Sequence, residues 1–337
     1  MPAPASSKVV IPHRHGAPAC MKNPVLLCCS VLALLAGACS RVPEAPAVMA
    51  AVPSAAQAQT APDPAYLAGV EQWRRDRARE LRDPDGWLSF AGSGPVDAGS
   101  QAVGSAADNA IVVPGGPAHW GTLELGGNGR LRFHAAPAAG LLIDGKPFAT
   151  AVLRTQLEAH GPTRVQAGEL GFYVVRTGEV YGWRLRDPHA AALQAFKGVP
   201  HFPVDPSWRI QAQWEPFAEP RTVELVTSNG TFAPAQVPGQ ASFERGGRRY
   251  TLLPVTEEGE DTLFFIIADR TSGKQTYGGG RFLYVPAPHD GIVELDFNKA
   301  QNPPCALNGH VVCPTAPPEN RLDLRITAGE RTYPLPH

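Results

Sequence analysis

The sequence predicts a mainly β protein, an antiparallel β-sandwich or open barrel preceded by one N-terminal helix. Three observations lead there. Glycine and proline number 34 and 35 in 337 residues, about a fifth of the chain, where an average near 12% is usual, and both residues punctuate turns. The hydrophobic content of 43% is enough for a packed core, so this richness marks turns rather than general disorder. Only one stretch keeps a helical period, whereas several show the two-residue alternation of half-buried strands. Charge is balanced at 30 basic against 31 acidic residues. With no basic stripe, nucleic acid is not an expected partner.

The first element is a processing signal. From Met21 the chain reads MKNPVLLCCSVLALLAGACS: one basic residue, an apolar run from Pro24 to Leu35, then Ala36-Gly37-Ala38-Cys39. That is the order of a secretory signal peptide, and the run falls short of the ~20 residues that span a bilayer. Ala-Gly-Ala before a cysteine resembles the lipobox of bacterial lipoproteins, which implies cleavage before Cys39, lipid (palmitate among it) on Cys39, and a membrane tether. Ala36 departs from the leucine usual in that pattern, so a plain secretory peptide with an incidental cysteine is the alternative. Residues 1–38 are thus read as signal peptide. Residues 1–20 fit no signal, so Met21 is the expected start. Ser40 resembles the default residue for export to the outer membrane, facing the periplasm. Losing Lys8, Arg14 and Lys22 leaves 27 basic against 31 acidic residues.

Residues 39–62, rich in alanine, proline and glutamine, read as a disordered tether, and the folded domain is expected over 63–337. Asp63-Pro64 opens a helix as N-cap acid and first-turn proline, and Asp83-Pro84 closes it. Leu67, Val70, Trp73, Ala78 and Leu81 form its apolar stripe, with Arg74, Arg75, Arg79 and Arg82 opposite. Docking on the domain core is expected; a helix lying on the membrane is the alternative.

From Asp85 onward the pattern is β. Asp85-Gly86, Asp144-Gly145 and Asp290-Gly291 are turn dipeptides. FYVVRTGEVYGWRLRD reads as a hairpin turning at Thr177-Gly178-Glu179. DTLFFIIAD, apolar on both faces, reads as a covered central strand. GIVELDFN and RLDLRIT alternate, with Val293, Leu295, Phe297 and Leu322, Leu324, Ile326 on their apolar faces. The region 215–240 is either a break between two β lobes or a long hairpin.

Six cysteines occur. Processing removes Cys20, Cys28 and Cys29 and lipid takes Cys39, which leaves Cys305 and Cys313 as a pair in an oxidising compartment. They flank Asn308-Gly309, a hairpin signal. A three-residue loop, Asn308-Gly309-His310, would set Cys305 opposite Cys313 and allow a disulfide at the hairpin base. The alternative is a redox or nucleophilic thiol, which needs a lowered pKa.

Motifs of strong chemistry are missing: no G-x-S-x-G, no H-E-x-x-H, no phosphate loop. The eight histidines of the mature chain form no close ligand pair, so neither a metal nor a cofactor is expected. Gly278-Gly279-Gly280 reads as a turn. The C-terminal third instead concentrates polar residues beside apolar strands: Asp269, Tyr277, Arg281, Asp296, Asn298, Asn302, Glu319, Asn320, Arg321 and Glu330. They are either a buried network that satisfies turn backbone or a site for a polar ligand, with two of the acids available for acid–base work.

TSGKQTYGGGRFLYVP, ELDFNKAQNPPCALNGHVVCPTAPPENRL and ITAGERTY resemble the DUF1684 family, and GWLSFAG, YGWRLRDP and FKGVPHFPVDPSWRIQAQW resemble its earlier blocks. The family has no assigned function, so the resemblance implies neither activity nor cofactor. The chain departs from it at Leu307 and Gln301, where aromatics are common, which alters any site those positions line. Two readings of function follow. One is a non-catalytic envelope lipoprotein that binds a glycan, peptide or envelope protein, or serves structurally. The other is a hydrolase of envelope glycans or peptides, with Asp269, Asp296 or Glu330 as acid and base and Arg281 and Arg321 orienting an anionic group.

Overall fold

The computed structural model describes residues 63–256 and 262–334; the expected signal peptide, Cys39 and the tether lie outside the described residues. The protein is mainly β and antiparallel, with one long helix, α1 (Pro64–Leu81), ahead of the strands. Asp63 caps α1 by accepting from the Ala65 N–H, and proline fills the first turn. Val70 and Leu81 turn inward as the apolar stripe predicts, so the helix docks on the domain. The face is not purely apolar: Arg77 is buried, and Arg74, expected outside, is 15% exposed and donates to the Phe202 carbonyl at 2.8 Å.

The first β lobe pairs two sheets. One contains β1 (Phe90–Val96), β6 (Leu142–Ile143), β7 (Lys146–Pro147), β9 (Val165–Ala167), β10 (Leu170–Thr177) and β11 (Val180–Arg186), in the order β1-β11-β10-β9-β6-β7. The other contains β2 (Gly99–Gly104), β3 (Ile111–Val112), β4 (Gly121–Leu125), β5 (Leu131–Ala135) and β8 (Thr150–Leu153), in the order β3-β2-β4-β5-β8. Alternation in β4 and β5 sends Leu123, Leu125, Leu131 and Phe133 to one side, where they meet Trp120, Phe172 and Leu185 in a closed core. The β10–β11 hairpin turns at Gly178-Glu179 with Thr177 opposite Val180. Asp144 and Gly145, at φ 50° and 72°, form the left-handed turn that Asp-Gly favours. Asp85-Gly86 does not: it leads into the 3₁₀ turn Trp87–Ser89.

The short helix α2 (Ala191–Ala195) leads to the second lobe, built on β12 (Arg209–Val226), β13 (Phe232–Arg245), β14 (Arg248–Leu252) and β17 (Ile292–Asp296), in the order β14-β13-β12-β17. The region 215–240 is therefore a long hairpin. β15 (Thr262–Ile267) pairs with β16 (Arg281–Pro286) as a separate ribbon. β15 is covered on both faces as read, because one face joins the second core with Leu263, Phe265 and Ile267. Its other face, Phe264 and Ile266, packs with Phe90 and Tyr173 of the first lobe and with Val311 and Cys313.

Two C-terminal expectations fail. RLDLRIT is not a strand. Leu322 and Ile326 are buried, but the segment makes only one bridge, Ala268 to Arg321; alternation reports burial, and a ladder needs a free neighbouring edge. Asn308-Gly309 turns no hairpin. The chain forms a 3₁₀ turn at Pro304–Ala306, and the buried Asn308 amide donates to the carbonyls of Trp87 (3.1 Å) and Phe90 (2.9 Å). Its Oδ1 meanwhile accepts from the His310 N–H at 2.9 Å, so Asn308 still makes a local turn, but its amide nitrogen ties that turn to Trp87 and Phe90 instead of to a paired strand.

Candidate functional site

The structure distributes the polar residues of the C-terminal blocks among separate internal clusters. Pairing of Ile267 with Arg281 brings Asp269 beside the start of β16. Arg281 Nη2 donates to Asp269 Oδ2 at 2.9 Å, with side chains 2% and 1% exposed. The rest of the guanidinium donates to main-chain carbonyls of Ile326 (3.3 Å), Ala328 and Glu330 (3.3 Å). One side chain thus gathers the carbonyls of a stretch whose backbone pairing is confined to a few bonds, among them Leu322 to Ala268, Arg270 to Leu324 and Glu330 to Ala300. The other oxygen of Asp269 accepts from the Thr271 N–H and hydroxyl. Burial pushes the Arg281 pKa down, against the pull of Asp269.

A second cluster ties α1 to the end of β17. The Tyr66 hydroxyl donates to Asp296 Oδ1 at 2.9 Å, and Asn298 Nδ2 donates to that hydroxyl and to the Asp205 carbonyl, both at 2.9 Å. Lys299 Nζ lies 3.2 Å from Asp296 Oδ2. Burial, then the Asp296 charge, pushes the Tyr66 hydroxyl up. In a third cluster Glu330 Oε2 accepts from the Asn302 N–H at 2.6 Å, and Oε1 faces Arg77 Nε at 3.5 Å. Asn302 Nδ2 donates to the Arg331 carbonyl at 2.8 Å. Burial raises the Glu330 pKa, with Arg77 opposing. Asn320 stands apart: its amide accepts from the Leu253 N–H (2.8 Å) and donates to the carbonyls of Leu253 (2.8 Å) and Ile266 (3.0 Å). Glu319 and Arg321 are exposed and join none of these. Leu307, a family-atypical position, is fully buried with Leu81, Leu88, Phe196 and Tyr333, so it fills core rather than lining a site.

Tyr277 belongs with the cysteines. Its hydroxyl lies 3.6 Å from Cys305 Sγ. The Cys305 N–H donates to Cys313 Sγ at 3.2 Å. Ser228, at the tip of the β12–β13 hairpin, accepts the Cys313 N–H on its hydroxyl at 3.2 Å and donates its own N–H to the Cys313 carbonyl at 2.8 Å. The structure holds both cysteines as free thiols, Cys305 half-buried and Cys313 buried, with no disulfide between them. The two sulfurs have opposite character. A hydrogen bond from Cys313, then those from Tyr277 and Ser228, hold Cys305 down at about 7 despite burial. Donating that bond, together with burial, pushes Cys313 up. Arg184 of β11 donates to the His310 carbonyl behind them, and His310 Nδ1 lies 3.2 Å from Ser93 Oγ. Ser228, Arg184 and Ser93 were beyond sequence reasoning, since each lies over 70 residues from the cysteine loop and in an unremarkable strand or turn.

An open cleft of ≈ 630 Å³ lies at the end of the first lobe, between the β1–β2, β4–β5 and β10–β11 turns, with Asp97, Asn128, Arg176, Glu179 and Tyr181 on its walls. Arg176 pairs with Glu179 at 2.6 Å and lies over the Tyr181 ring, 5.4 Å from its centroid. Among the described residues no group of acids, histidines and cysteines could hold a metal ion, and no helix is long and apolar enough to cross a membrane.

The model of the family described as "Protein of unknown function (DUF1684)" matches residues 194–331, the second lobe with the cysteine loop. Among solved structures, the chain is similar to the solution NMR structure of an uncharacterized protein from gene locus rrnAC0354 of Haloarcula marismortui, at 33% identity over 41% of this chain and 78% of that one, with a TM-score of 0.36. No curated protein matches.

Proposed function

The chain belongs to the DUF1684 family, and from that premise we propose a lipid-anchored envelope protein, tethered through Cys39, whose folded part binds a polar envelope component rather than hydrolysing one. One observation carries the preference for binding: Asp269, Asp296 and Glu330 are each buried and committed to internal partners. Hydrolysis of a glycan by paired carboxylates needs two of them ~5–9.5 Å apart across an open cleft. These three serve the framework instead, which weighs against the hydrolase alternative. The open cleft of the first lobe, with an aromatic ring, an amide and both charge signs on its walls, suits a glycan or muropeptide, since such sites combine an apolar face with a few placed polar groups. Sequence features alone support the anchor and the outer-membrane address.

Thermal shift of the mature chain against glycans and muropeptides tests the binding reading. A ligand at a hundredfold its Kd stabilises by ~2.7 kcal/mol, and the shift should vanish in Arg176→Ala and Tyr181→Ala. No shift with any of them would reject the small-ligand site and leave a protein partner. Palmitate label that survives Cys39→Ser would reject the anchor.

A further inference from the structure

We propose that Cys305 and Cys313 form a thiol–disulfide exchange site, with Cys305 as the attacking thiolate and Cys313 as the resolving thiol. The inference is independent of the binding site and of the membrane address. Four observations support it.

The pair is in contact: the Cys305 N–H donates to Cys313 Sγ at 3.2 Å, so the second sulfur is already placed against the first residue. Exposure divides the roles, because Cys305 is half-buried and reachable while Cys313 is buried. The polar surroundings favour charge on the reachable sulfur. The Tyr277 hydroxyl lies 3.6 Å from Cys305 Sγ, and hydrogen bonding from Cys313, then from Tyr277 and Ser228, holds Cys305 at about 7 despite burial. A thiol of that acidity is partly ionised at neutral pH, and the thiolate is the nucleophile. Its hydrogen bond to Cys305, then burial, keeps Cys313 protonated. Finally, the segments around the pair present exposed apolar side chains. Val226 pairs with Phe232 at the hairpin tip beside Ser228, Val312 precedes Cys313, and all three are 41–62% exposed.

The chemistry balances with a disulfide R–S–S–R′ as oxidant. Cys305 thiolate attacks one sulfur of the substrate. The substrate S–S bond breaks, R′–S⁻ leaves, and a mixed disulfide forms on Cys305. The Cys313 thiol gives its proton to the departing thiolate and attacks Cys305 Sγ. The mixed bond breaks, and R–S⁻ leaves and takes a proton from water. Two electrons pass from the protein dithiol to the substrate, which ends as two thiols, while Cys305 and Cys313 end as a disulfide. A thiol reductant such as reduced glutathione reverses the sequence. The predicted staple is, on this reading, one half of a cycle.

Trapping tests it on the full mature chain, with reduced protein mixed with glutathione disulfide, or with a peptide disulfide flanked by apolar residues, then acid-quenched for mass spectrometry. Cys313→Ser and Cys313→Ala should both accumulate a mixed disulfide at Cys305, and Cys305→Ser should form none. Faster trapping by the peptide assigns a protein substrate; faster trapping by glutathione disulfide assigns a small one. In the wild type, the rate of Cys305 alkylation should follow a titration near pH 7, and Tyr277→Phe should move that midpoint upward, a change that a purely structural tyrosine would not cause. Two results would overturn the proposal. One is the absence of any adduct in both Cys313 variants while their circular dichroism matches the wild type. The other is a wild-type disulfide that millimolar reduced glutathione fails to open, which would make the bridge structural.

Discussion

Replacing Arg281 with alanine should be among the most damaging single changes in this protein. Its side chain is 2% exposed and serves four acceptors: Asp269 Oδ2 and the carbonyls of Ile326, Ala328 and Glu330. Removing one member of a buried ion pair costs ~3–5 kcal/mol, because the other charge is stranded. The orphaned carbonyls would add ~1–3 kcal/mol each if none found a new donor. Terms within one network do not add, and a truncated side chain leaves room for water at some of them. A loss of ~4–6 kcal/mol is therefore expected, a large part of a typical stability of 5–15. In urea, at a slope of ~2.5 kcal/mol per M, the midpoint should fall by ~2 M. Asp269→Asn should cost less, since the amide oxygen still accepts from Arg281 and the arginine keeps its three carbonyls. The pair Arg281→Met with Asp269→Leu should fall between, because no stranded charge remains while the carbonyls do. A midpoint within 0.4 M of wild type for Arg281→Ala (about 1 kcal/mol at that slope), or a larger loss for Asp269→Asn, would refute the account of one arginine as the suture of the C-terminal segment.

Two further outcomes follow from buried polar groups. Asn320→Asp would aim a carboxylate at the carbonyls of Leu253 and Ile266, and should destabilise more than Asn320→Ala at pH 7. Its folded-state pKa would be raised, so stability should return as pH falls toward 4; thermal melts of both variants across that range decide it. His201 is held down at about 4 by burial, then by Arg74. A depressed histidine contributes stability that is present above its unfolded value near 6.5 and is lost as pH falls through about 4. His201→Gln, with Arg77, Glu71 and the Trp73 ring left around it, should flatten the melting temperature between those pH values; an unchanged acid limb would refute the assignment.

The parts of the fold legible in sequence were those with strong local signals: the Asp63-Pro64 start of α1, the turn at Gly178-Glu179, and the alternation of Ile292–Asp296. Failures came where a side chain took over the work of backbone. RLDLRIT alternates because Leu322 and Ile326 are buried, yet its carbonyls go to scattered donors, Leu324 to the Arg270 N–H, Asp323 to the Tyr250 hydroxyl and Ile326 to Arg281, which no periodicity can show. Asn308 reads as a turn residue and does accept from the His310 N–H, but it is also a tie to Trp87 and Phe90, which the sequence does not show. The candidate site behaved likewise. Composition marked Asp269, Arg281, Asn302 and Glu330 as a polar group worth attention, but partners such as Arg77, Tyr66 and Ser228, distant in the chain, decide what each one does. The thiols were singled out as a pair, and their contact was reached through a loop different from the hairpin expected.

The docking of α1 sets an order on the life of the chain. Besides the Phe202 carbonyl, its polar partners are Asp296, Asn302 and Glu330, more than 220 residues downstream, so the docking of the helix is completed only by the end of the chain. Long-range closures of this kind come late and slow folding. Until they form, Tyr66 and Arg77 lack these polar partners, and the segment is open to chaperones and proteases. A chain cut short before residue 296 carries that exposed helix permanently. Protection of α1 in a pulse of hydrogen exchange would thus report completion of the whole domain.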